Sequence, residues 1–187
     1  MNVSDAIELI RAAVGVSAGV WADLGAGTGT FTRALTEVLG AGSTVYAVDA
    51  NARAVRALRE LSSSSAGNVL VTVVNADFTQ PLELPGLERA HAQLDGILLA
   101  NALHFVRDAD RVLSRLVKQL RPGGRVIVVE YDRREASQWV PYPITASRWL
   151  QLAESAGLTE PTITATRPSS YSGILYTGAA TRPIASA

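Results

Sequence analysis

Five short apolar runs constrain this chain more than any other feature. "VWADLG" (20–25), "STVYAVDA" (43–50), "NVLVTVVNA" (68–76), "LDGILLAN" (94–101) and "GRVIVVEYD" (124–132) are rich in Val, Leu and Ile. They show little polar alternation, as strands buried on both faces do. Helix-period stretches lie between them at 30–39, 52–62 and 108–120, and another follows the last at 144–156. In the third of these, Val112, Leu113, Leu116, Val117 and Leu120 make one apolar stripe. "RPGG" (121–124) is expected to stop that helix and lead into the next strand. Strands alternating with helices predict a parallel sheet covered by helices on both faces.

The two ends read differently. Residues 1–15 predict an amphipathic helix with Ser4 or Asp5 near its cap. Residues 161–168 and 171–180 are β-rich and joined by a turn-forming link around Ser169–Ser170, which predicts a hairpin and one antiparallel strand closing the sheet. Residues 181–187 are expected to fray. The 187 residues are read as a single domain.

Composition narrows the chemistry. With 48% apolar and 18% charged residues the chain is globular rather than disordered. Lys plus Arg and Asp plus Glu number 17 each, so net charge carries no footprint for nucleic acid, although a local basic patch stays open. There is no cysteine, which removes disulfides, thiolate nucleophiles and Cys-ligated metals. His91 and His104 are the only histidines, so no metal site is expected. No apolar run approaches the ~18 residues of a membrane span, and the start lacks a signal-peptide layout. A cytoplasmic protein is the expectation.

Function points to "ADLGAGTGTFT" at the end of the first strand, where doubly wound sheets bind ligands. Gly25, Gly27 and Gly29 allow positive φ and close approach of the backbone to a ligand. The alternative is a plain strand-to-helix turn. The spacing is G-x-G-x-G, and Asp23 lies two residues upstream. A carboxylate there suits an amino group or sulfonium better than the diphosphate of a dinucleotide. The second strand ends in Asp49, 20 residues after Gly29, where a carboxylate accepts from ribose hydroxyls; the competing reading is a helix cap shared with Asn51. The third strand ends in Asp77 beside Phe78, an acid for an adenine amino group and a ring for the base, or else a surface acid and a core Phe.

On these residues, in this order, the chain resembles the class I S-adenosylmethionine-dependent methyltransferases. "ADLGAGTGTFT", "VYAVDA", "VNADF", "LDGILLANALHFV" and "VKQLRPGGRVIVVEYD" match successive family motifs across residues 20–132. The resemblance implies a Rossmann-like, doubly wound, seven-stranded and mostly parallel sheet. Its implied order is 3-2-1-4-5-7-6 with strand 7 antiparallel, in a three-layer αβα sandwich. It also implies S-adenosyl-L-methionine as cofactor. Gly25, Ala26, Gly27 and Gly29 would line its methionine and ribose portion, and Asp23 would hold the amino-acid end. Asp49 would take the ribose, Asp77 the adenine with Phe78 and Ala50 flanking it, and Asn101 would sit near the methionine.

The acceptor is less legible. "ANALHF" replaces the [DN]PP[YFW] signature that marks amino-group methylation in this family, which lowers nucleobase and glutamine acceptors. His104 follows the fourth strand and reads either as a general base or as a packing residue at the start of the next helix. The segment 132–143 carries Arg133, Arg134, Trp139 and Tyr142, which read as a substrate lid or as a solvated loop with Trp139 in the core. A small-molecule acceptor is the leading expectation. RNA or protein methylation, a non-catalytic cofactor-binding module and, distantly, an NAD-linked reductase compete with it.

Overall fold

The computed structural model describes residues 1–15, 18–64, 68–87, 93–132, 135–169 and 173–184. The helices are α1 (Val3–Val14), α2 (Thr30–Val38), α3 (Ala52–Ser64), α4 (Ala109–Val117) and α5 (Ala146–Ser155). The strands are β1 (Val20–Leu24), β2 (Thr44–Asp49), β3 (Leu70–Asn75), β4 (Leu94–Ala100), β5 (Leu120–Asp132), β6 (Thr159–Pro168) and β7 (Ile174–Thr181). They form one sheet in the order β3-β2-β1-β4-β5-β7-β6. β1 to β5 pair in parallel, and β7 runs antiparallel to both β5 and β6. The expected order and the reversed last strand are both present.

Pleating sends alternate residues to opposite faces. Trp21, Val45, Leu98, Ile127 and Val129 pack under α1 and α2. Ala22, Leu24, Val48, Ile97, Leu99, Val126 and Val128 pack under α4 and α5. The central strands are therefore apolar on both sides, which is why their sequences lack alternation. The face under α1 and α2 also receives Asp23, and the opposite face receives Glu130. Both are buried carboxylates.

Several boundaries differ from the reading. β5 begins at Leu120, not 124, because Leu120 pairs with Leu94 before a register shift brings Arg125 opposite Gly96. The "RPGG" backbone is held at the sheet by paired bonds between Gly123 and Arg182 and between Arg182 and Gly124. α4 accordingly stops at Val117. The cap of α1 is Asn2: its Oδ1 accepts from the Asp5 amide at 2.8 Å, and Asp5 lies in the first turn, where the helix dipole favours an acid. The tail is anchored further than expected. Thr181 belongs to β7 and the Arg182 guanidinium donates to the carbonyls of Lys118 and Leu120. Of the rest of the expected frayed segment, Ile184 is exposed and 185–187 lie outside the described residues.

Candidate cofactor site

β1 delivers the chain at its carboxyl end into the loop 25–29, and Gly25, Gly27 and Gly29 all adopt positive φ. At Gly25 a Cβ would come within 2.7 Å of the Ala102 methyl, so the loop and the segment after β4 touch only because a side chain is missing. At Gly27 (φ 56°) a Cβ would meet nothing within 4 Å; it would project into open space at a cavity wall. The loop amides are turned inward. Gly25 and Ala26 donate to Val48 O at 2.9 and 3.0 Å, Gly29 donates to Ala26 O at 2.9 Å, and Gly27 donates to Asp49 Oδ2 at 2.8 Å. A dinucleotide loop presents such amides to a pyrophosphate. Here they are already used, which agrees with the sequence argument against a diphosphate.

Two cavities meet at this loop and share Gly25, Gly27, Thr28 and Asn101. The first, about 640 Å³, is lined by Asp49, Ala50, Asp77, Phe78, Asn101 and Phe105 among others. The second, about 460 Å³, includes Ala26, Phe31, Tyr131, Asp5 and Arg167. Each is of the size that binds a small molecule. Asp49 accepts from Gly27 N and, through Oδ1 at 2.8 Å, from Asn51 N. A carboxylate has about four lone-pair sites, so hydroxyls can still be accepted. The cap of α3 is Asn51, whose Oδ1 accepts from Arg53 N at 2.9 Å. That leaves Asp49 facing the cavity. Asp77 spends Oδ1 on the amide and hydroxyl of Thr79, at 2.8 and 2.7 Å, and lines the same cavity.

Two buried oxygens at this site lack partners among the described residues: Asn101 Oδ1 and Asp23 Oδ1. Asn101 holds a left-handed backbone at φ 52° and touches both cavities. Asp23 is 1% exposed and lines neither cavity. Its Oδ2 accepts from Thr32 Oγ1 on α2 at 2.6 Å. Burial pushes its carboxyl up to about 7, against the lowering effect of the Thr32 hydroxyl and with the negative charge of Asp49 adding to the rise. The expected direct hold on a ligand's amino-acid end is thus a buried acid beneath the loop, with one oxygen unsatisfied. The orphaned acceptor at the cavity wall, Asn101 Oδ1, suits a ligand bearing an ammonium or amide-like donor.

The acceptor-side expectations fare less well. His104 is 3% exposed and lines neither cavity. It lies in a 3₁₀ turn, Leu103–Phe105, with Nδ1 2.6 Å from Glu130 Oε2. The packing alternative describes its position, and the open-loop base does not. Trp139 is 68% exposed on a tight turn closed by the Ser137–Val140 bridge, so it is not a core residue. Tyr142 is exposed, and its amide donates to His104 O at 3.0 Å. Neither aromatic lines either cavity. Arg133 and Arg134 lie outside the described residues. The sequence reading missed Glu130, Thr32 and the Asp5–Arg167 pair, whose atoms approach to 2.7 Å at the second cavity. The one sequence signal was an acid standing inside "VIVVEY".

Inward-turned loop amides, a strand-end carboxylate, Asp49, at the cavity wall and a reversed terminal strand are the features of this site. In comparison with known proteins, a family model described as "Methyltransferase domain" matches residues 22–126, more than half of the chain. The chain belongs to this methyltransferase domain family. Among curated proteins it is 28% identical over 113 residues to the ubiquinone/menaquinone biosynthesis C-methyltransferase of Saccharophagus degradans, a match covering 59% of this chain and 42% of that protein. It is 31% identical over 113 residues to the Vibrio cholerae enzyme of the same name, covering 59% of this chain and 40% of that one. The matches thus span about two-fifths of the curated relatives' length. Among solved structures, the Burkholderia thailandensis 1,6-didemethyltoxoflavin-N1-methyltransferase, which holds its substrate and S-adenosylhomocysteine, superposes with a TM-score of 0.74 at 22% identity. That superposition covers 97% of this chain and 78% of that one. A SAM-dependent methyltransferase from Aquifex aeolicus gives a TM-score of 0.69 at 16% identity, covering 97% and 99%. These two likenesses concern the fold.

Proposed function

We propose that this chain is an S-adenosyl-L-methionine-dependent methyltransferase acting on a small-molecule nucleophile. One observation carries the reading: Gly27, Asp49, Asp77 and Asn101, from four different connections of the sheet, converge on a single cavity of about 640 Å³. Asp49 accepts the ribose hydroxyls, and Asp77 faces the adenine amino group with Phe78 and Ala50 along the ring. Gly25, Ala26, Gly27 and Gly29 keep the loop low enough for the nucleoside to cross it. Asn101 Oδ1 accepts from the methionine end. Asp23 supplies negative charge beneath the loop for the methionine ammonium. When bound, the cofactor supplies an electrophilic methyl group on a sulfonium. The chain's own contribution is positioning and exclusion of water.

The second cavity, which shares Asn101 and the glycine loop with the first, takes the acceptor. Its described lining carries neither His nor Lys, and its one carboxylate, Asp5, is paired with Arg167. That supports an acceptor whose attacking atom is already electron-rich, and the C-methyltransferase name of the relatives is consistent with it. One observation favours a second reading, a polyanionic acceptor. A groove of about 780 Å³ along α4 gathers Arg107, Arg111, Arg115 and Lys118 against Asp108, and it shares Thr79, Phe105 and Val106 with the cofactor cavity.

Calorimetric titration with S-adenosylmethionine, S-adenosylhomocysteine and NADH tests the cofactor. Micromolar binding of the first two alone is expected, and binding of NADH alone would reverse the assignment. Salt-dependent binding of single-stranded RNA would promote the second reading.

A further inference from the structure

We infer that Glu130 and His104 form an internal clamp that positions the wall of the cofactor cavity facing the glycine loop. Glu130 lies two residues before the carboxyl end of β5 and is fully buried. Each of its oxygens has a partner on the segment that follows β4. Oε1 accepts from the backbone amides of Leu103 and His104 at 3.0 and 3.2 Å, and Oε2 lies 2.6 Å from His104 Nδ1. Facing a carboxylate oxygen at that distance, Nδ1 is the nitrogen that carries a proton and donates it.

The 3₁₀ turn has no side-chain cap of its own; the residue in the cap position is Ala102. Glu130 supplies from the sheet what a local Asp or Ser supplies elsewhere: an oxygen on the first free amides of the turn. The pinned residues matter because of their neighbours. Asn101 and Ala102 precede the turn, Phe105 and Val106 close it, and all four line the cofactor cavity. Asn101 has a left-handed backbone, which costs free energy in a non-glycine residue unless its surroundings hold it. The carbonyl of His104 also accepts from Tyr142, so the clamp reaches the segment after β5. Glu130 and His104 line neither of the two cavities at the loop; they act through the segment they hold. A carboxylate buried without these donors would be heavily penalised, so clamp and loop conformation stand or fall together.

The inference rests on the cofactor reading above, and its test needs no methyl acceptor. S-adenosylhomocysteine affinity is measured by calorimetry, and backbone amide exchange of residues 101–106 is compared with that of β1 and β2. His104→Phe keeps an aromatic ring and removes the donor. His104→Asn places an amide N–H close to where Nδ1 stands. The expected result for His104→Phe is about a tenfold loss of affinity, the worth of one charge-assisted hydrogen bond, with faster exchange confined to 101–106. His104→Asn should return both to within about threefold of wild type, because it restores the donor. Wild-type affinity and exchange in His104→Phe overturn the inference, and so does a His104→Asn protein as impaired as His104→Phe. If His104→Phe does not fold, Glu130→Gln decides. Its carbonyl can still accept from the two amides, but its amide group then faces Nδ1, which must become the acceptor. The ¹⁵N resonance of Nδ1 should move from the protonated to the unprotonated range, and an unmoved resonance overturns the clamp. Should wild-type protein fail to bind S-adenosylhomocysteine, the cofactor reading falls, and amide exchange still decides whether Glu130 and His104 hold the loop.

Discussion

Replacing Asp23 by Asn should make the ligand-free protein more stable above neutral pH while weakening its hold on cofactor. The carboxyl is buried, accepts one hydrogen bond from Thr32 and leaves Oδ1 without a partner. Its proton affinity is raised from an ordinary 3.8 to about 7. A group whose folded pKa is raised stabilises the fold fully at low pH, and that stability is lost as pH climbs from the unfolded value through the folded one, here between about 4 and about 7. At pH 8 the ionised side chain therefore costs the free protein about 4 kcal/mol. Asn keeps an oxygen for Thr32 and carries no charge, but it leaves a buried N–H₂ unpartnered at a cost of roughly 1–3 kcal/mol. The net gain at pH 8 is about 1–3 kcal/mol, or roughly 2–10 °C in Tm for a domain of this size. At pH 5 Asp23 is largely neutral in the folded protein, the wild-type cost falls to about 1–2 kcal/mol, and the difference should shrink to about zero or slightly reverse. Urea or thermal unfolding at both pH values, without ligand, measures it. Asp23→Asn less stable than wild type at pH 8, or a difference that ignores pH, would refute the reasoning. Affinity for S-adenosylmethionine should fall in the same variant, since the ammonium loses its buried counter-charge.

Asp49→Ala should weaken S-adenosylhomocysteine binding by roughly 1.5–3 kcal/mol, the scale of hydrogen bonds to a charged group; unchanged affinity by calorimetry removes the ribose assignment. Gly27→Val should cost affinity more than about a hundredfold, because its φ of 56° is strained for a β-branched residue and its side chain would enter the cavity wall; circular dichroism should show the fold retained. Cofactor binding at pH 8 should be nearly proton-neutral, whereas at pH 6 it should release close to one proton from Asp23, read as a buffer-dependent heat in calorimetry; equal heats in buffers of different ionisation enthalpy at pH 6 count against that linkage. Trp149→Ala should destabilise by about 3–5 kcal/mol, because this fully buried ring packs against Gly178, where a Cβ would lie 2.3 Å from its Nε1; urea midpoints measure it.

Much of the architecture was legible because it rests on local pattern. Runs such as "STVYAVDA" are apolar on both faces only in a covered sheet, and every helix-period stretch folded as a helix. Boundaries were less legible where long-range pairing overrode local punctuation. "RPGG" looks like a break, yet β4 on one side and Arg182 on the other draw it into β5. The cavity-lining positions of Asp49 and Asp77 were readable because Asp49 ends β2 and Asp77 stands two residues past β3, and the carboxyl ends of strands open at the ligand edge of the sheet.

His104 and Asp23 mark the limit. By itself the sequence placed a histidine in a loop and an acid beside three glycines, and the short-range rules behind that placement say nothing about what stands across the sheet. Tertiary structure alone put Glu130, 26 residues away, against the imidazole, and set Thr32 against the Asp23 carboxyl. Ordering along the chain and periodicity determined the fold and the edge where the site opens. Burial and long-range hydrogen bonds, which depend on packing of distant segments, decided which polar groups line the cavities and which are buried behind them.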